Sequence, residues 1–68
     1  MQGGWRCIYT SNWLHQTEIA RAILKDNGIN SIAIDKRDSN YIMIGDIEVY
    51  VKEEDAILAK IILEKNIH

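Results

Sequence analysis

IEVYVKEEDAILAKIIL, residues 47–63, is the stretch that decides the fold of this chain. Ile47, Val49 and Val51 alternate with Glu48 and Tyr50, the period-two pattern of a strand with one face in a core. Three acids follow, Glu53, Glu54 and Asp55, and then Ala56, Ala59, Ile62 and Leu63 recur at helical spacing. The acids therefore stand between a strand and a helix. Negative charge at a helix start meets the positive end of the helix dipole, a gain of about 0.3–1 kcal/mol each. A metal or acid–base site would need convergent partners, and no histidine lies near in sequence. The acids read as a helix entrance, with no metal and no cofactor expected.

Upstream, residues 5–10 (WRCIYT) are aromatic and β-branched and read as a first strand. Ser11 and Asn12 are N-cap types, and Ile19, Ala20, Ile23 and Leu24 repeat at helical spacing over residues 13–27. Gly28 is placed to end that helix, because glycine takes positive φ at little cost. Residues 29–36 form a second strand with Ile32 and Ile34 on one face, and residues 37–40 a polar turn. Residues 41–44 read as a short extended piece, and Gly45 and Asp46 as a two-residue turn.

The element order is β-α-β-β-α, a single α+β domain over residues 1–68. A right-handed crossover makes strands one and two parallel, and strand three returns between them. The expected fold is a ferredoxin-like split βαβ sandwich with sheet order 1-3-2 and both helices on one face. Strand one is then an open edge, at the place where a ferredoxin-like fold carries a fourth strand.

Composition narrows the function. With one cysteine, Cys7, the chain forms no internal disulfide, and no Cys/His cluster has zinc-site spacing. A domain of 68 residues is marginal without such supports, so a homodimer is expected. The net charge of −2, with the signs interspersed, is no footprint for nucleic acid. There is neither a signal-peptide pattern nor an apolar run of the roughly 20 residues that span a bilayer, so the expectation is a cytoplasmic chain.

The stretches YTSN (9–12), EIARAILKDNGI (18–29) and GDIEVYVKEEDAILAKIIL (45–63) resemble a small bacterial family of putative prokaryotic signal-transducing proteins. The resemblance covers nearly the whole chain and is strongest at the strand-to-helix junction. Many members carry proline in the acidic turn, where Lys52 stands here, and others near the start of helix one; this chain has no proline. The resemblance implies a ferredoxin-like or PII-like domain without an active site to transfer.

With Ile47, Val49 and Val51 inward, Tyr50 faces away from the helices. Ile8 is the natural inward residue of strand one, which turns Trp5, Cys7 and Tyr9 to the open face and Arg6 to the helix side. Trp5, Tyr9 and Tyr50 then form an aromatic patch suited to a protein partner or a second protomer. Ile57 and Ile61 fall outside the buried face of helix two and form a second candidate contact. The favoured reading is a non-enzymatic binding or regulatory module. The alternatives are a PII-like sensor with a small ligand near residues 37–40, an RNA-binding face that lacks basic support, and an enzyme. No base adjoins Cys7, and His15 and His68 read as solvent-facing.

Overall fold

The computed structural model describes residues 4–36 and 46–66. In chain order the elements are β1 (Trp5–Ser11), α1 (Leu14–Asp26), β2 (Ser31–Asp35), β3 (Ile47–Lys52), a 3-10 turn (Glu53–Asp55) and α2 (Ala56–Asn66). The expected turn at 37–40, the extended piece at 41–44, Gly45 and His68 lie outside the described residues. The sheet order is β1-β3-β2, with β3 antiparallel to both neighbours. This is the α+β split βαβ arrangement expected from the sequence.

β3 is the central strand, and its alternation sets the layers. Ile47, Val49 and Val51 are fully buried, and Val49 and Val51 pack with Ala20 and Leu24 of α1 and Ala56, Ala59 and Leu63 of α2. Both helices therefore cover one face. Small residues at 20, 56 and 59 let the helices approach the sheet closely. Burying a Val or Ile side chain is worth about 1.5–3 kcal/mol, so these three residues anchor the sandwich.

The ends of α1 show one expectation met and one corrected. Gly28 has φ +78°, its N–H donates to the Lys25 carbonyl at 2.9 Å, and the Ile29 N–H donates to the Leu24 carbonyl at 2.9 Å. That pair of bonds is a Schellman ending, completed by burial of Ile29 beside Leu24. Ile29 thus belongs to the helix ending, and β2 begins two residues later than the sequence suggested. At the other end neither Ser11 nor Asn12 is the N-cap; Trp13 holds that position without a side-chain cap bond. Ser11 closes β1, and its Oγ accepts the Trp13 N–H at 3.0 Å. Asn12 Oδ1 accepts the Asp46 N–H at 3.2 Å, which ties the β1–α1 turn to the entrance of β3.

The second correction lies in β1. Cys7 is opposite Tyr50, but Tyr9 is opposite Val49, so Ile8 is an extra residue, a bulge. A bulge shifts the alternation by one residue. Arg6, Tyr9 and Ser11 pair with Val51, Val49 and Ile47 and take the helix side. Ile8 and Tyr9 both pack against the core. Tyr9 is therefore not on the open face.

Candidate functional site

The face of the sheet away from the helices is built from three registers. Trp5 stands beside Lys52; Cys7, Tyr50 and Ile32 form one cross-strand row; Thr10, Glu48 and Ile34 form the next. No described element covers this face. Trp5, Ile32 and Ile34 are 43%, 42% and 40% exposed, while Tyr50 and Cys7 between them are half-buried by their neighbours. Of the aromatic residues expected here, Trp5 and Tyr50 are brought together and Tyr9 is not. Ile32 and Ile34 take its place. Sequence alternation placed these two isoleucines on a common face, and only the pairing with Tyr50 and Glu48 reveals which one.

A polar strip crosses the apolar patch. The Tyr50 hydroxyl donates to Glu48 Oε1 at 2.8 Å, and Lys36 Nζ lies 3.1 Å from the same oxygen. The hydroxyl bond and then the Lys36 ammonium hold the Glu48 carboxyl below its ordinary value. In return, the bonded Glu48 carboxylate raises the Lys36 ammonium and the Tyr50 phenol. The strip is thereby internally neutral, and it fixes the Tyr50 ring on the surface.

The remaining candidates lie elsewhere. The Cys7 thiol donates to the Tyr9 carbonyl across the bulge at 3.6 Å, and His15 is on α1, in the other layer. Glu53 is paired with Arg6 on the helix side rather than turned toward a shared centre with Glu54 and Asp55. Among the described residues no three His, Cys, Asp or Glu side chains converge on a metal position. Ile57 and Ile61 stand on the outer side of α2, 77% and 43% exposed, well separated from the open face by the thickness of the sandwich. No described helix is long and apolar enough to cross a membrane.

The model of the family described as "putative prokaryotic signal transducing protein" matches residues 5–67, every described element included, and the chain belongs to that family. No curated protein and no solved structure matches the chain.

Proposed function

We propose that this family member is a non-enzymatic, cytoplasmic binding module whose open sheet face takes a protein partner. One observation carries the reading: Trp5, Ile32, Ile34 and Tyr50 lie on one face that no described element covers. Core-facing alternation leaves such a face polar in a free-standing sandwich. Here it bears a tryptophan and two isoleucines around a tethered tyrosine, the composition of the apolar centre of an interface. Glu48 and Lys36 satisfy one another, so the face presents no unpaired charge from this strip to be desolvated on docking. The complementary partner surface is apolar, with a polar rim able to meet Lys52 and Thr10.

Ile34→Lys tests this. Ile34 is the cross-strand neighbour of Glu48, so a lysine there gains an opposite charge and leaves the sheet intact. A partner captured by the wild type is purified and titrated against both proteins. The expected result is loss of binding by the variant at unchanged helical content. A partner that binds wild type and Ile34→Lys equally would remove the open face from the interaction.

A further inference from the structure

We infer that a second copy of this chain docks on the outer side of α2, helix against helix about a two-fold axis beside β1. Two independent features meet there. First, α2 is apolar on both sides: Ala56, Ala59 and Leu63 point inward, while Ile57, Leu58 and Ile61 remain exposed. Lys60, Glu64 and Lys65 are also exposed on this helix, so the three apolar side chains form a patch within a charged rim, the composition of a contact surface. Second, β1 is an edge of the sheet among the described strands, in the position beside which the ferredoxin-like arrangement adds another strand. α2 lies over this edge. A groove of about 280 Å³ separates them, lined by Ile8, Tyr9, Lys60, Leu63 and Glu64. A neighbouring groove runs from Lys60 past Ile57 to the Arg6–Glu53 pair.

The charge pattern selects a second copy as the occupant. α2 is entered through Glu53, Glu54 and Asp55, of which Glu53 is held by Arg6, and its last two turns carry Lys60 and Lys65 against the single acid Glu64, so an acidic entrance and a weakly basic end lie on one helix. Antiparallel apposition sets the acidic turn of each protomer beside Lys65 of the other, opposes the two helix dipoles and brings Ile57 against Ile61 across the axis. An 11-residue helix is only about 16 Å long, and a standard interface takes roughly 800 Å² from each partner. The contact therefore includes the β1 edge and the groove beneath α2. The bulge at Ile8 interrupts that edge, a device that discourages continuous strand pairing, so the dimer is led by the helices. It leaves the open sheet faces free for the partner proposed above, and neither proposal rests on the other.

Sedimentation equilibrium of the whole chain, from on the order of 10 μM to 1 mM, tests the inference. The expected result is a monomer–dimer equilibrium. Ile57→Glu and Ile61→Glu each weaken it at least about tenfold with unchanged circular dichroism, because both side chains are already exposed. Glu54→Lys and Lys65→Glu each weaken it alone and restore it together. Ile34→Lys leaves it unchanged. A wild-type chain that is monomeric throughout overturns the inference. So does a dimer that survives Ile57→Glu or is lost with Ile34→Lys, and charge swaps whose effects merely add overturn the antiparallel apposition.

Discussion

Among the described residues Gly28 alone has a positive φ, so its local conformation is costly for any other residue to adopt. Its φ of +78° lies in the left-handed region, and a Cβ built there meets nothing within 4 Å. The cost of Gly28→Ala is thus backbone strain alone, about 1–2 kcal/mol. Urea denaturation should show a lower midpoint at unchanged slope, with Gly28→Asn milder than alanine. Gly28 was legible in the sequence because few residues besides glycine end a helix this way. Thr17 was not. It is fully buried, and its hydroxyl donates to the Trp13 carbonyl at 3.0 Å, a satisfaction that no polarity pattern announces. Glu48 carries a pH dependence. Its carboxyl ionises more readily folded than unfolded, so its contribution is fully present above the ordinary carboxylate range and is lost as pH falls through the lowered folded value. Lys36 and Tyr50 are raised, so their contributions hold below their ordinary values and fade at alkaline pH. Stability of the wild type minus that of Glu48→Gln should be flat from about pH 6 to 9 and shrink in acid. A difference that grows in acid would contradict the assigned bonding.

At the scale of elements, β3 was readable and β1 was not, for a physical reason. A central strand under two helices must keep strict alternation, since a one-residue slip would carry Ile47, Val49 and Val51 to the open face. An edge strand has only one neighbour to satisfy, so it tolerates an inserted residue. Apolar residues stand at both Ile8 and Tyr9, and both reach the core; the sequence therefore holds no sign of the phase change between them. Substitutions separate the two phases. With the bulge, Tyr9→Ala removes packing beside Leu63 and should cost about 2–3 kcal/mol, the lower part of the range for core truncations, because Tyr9 is only half-buried. Trp5→Ala, on the open face, should cost under about 1 kcal/mol. Without the bulge Tyr9 and Trp5 would share a face and behave alike. Val49→Glu marks the strand's inner side: it places an unpaired carboxylate in a fully buried position and should leave the chain unfolded by circular dichroism.

For the whole molecule, the layers decide which chemistry each surface can support, and nucleic acid is the sharpest case. A three-stranded sheet with both helices behind it and aromatic residues in front is the outline of modules that stack RNA bases. Stacking holds a strand only with cations to draw the phosphates in. On the open face, Lys36 is spent on Glu48, and Lys52 stands beside Trp5 at one end. Arg6 is turned to the helix side and bound to Glu53, a consequence of β1's register. The bulge that takes Tyr9 away also leaves Trp5 and Tyr50 as the only aromatic pair among the described residues of this face. With a net charge of −2, few counterions are released on contact with a polyanion. Single-stranded RNA at about 100 mM salt should therefore bind no more tightly than roughly millimolar, with little dependence on salt. Tryptophan fluorescence reads this directly, because Trp5 would be quenched by a stacked base. Glu48→Lys supplies the control: it reverses a charge in the centre of the face and releases Lys36, so it should bind RNA measurably better than the wild type. Tight, salt-sensitive quenching in the wild type itself would mean that the face works on nucleic acid, and the protein-partner reading would have to give way.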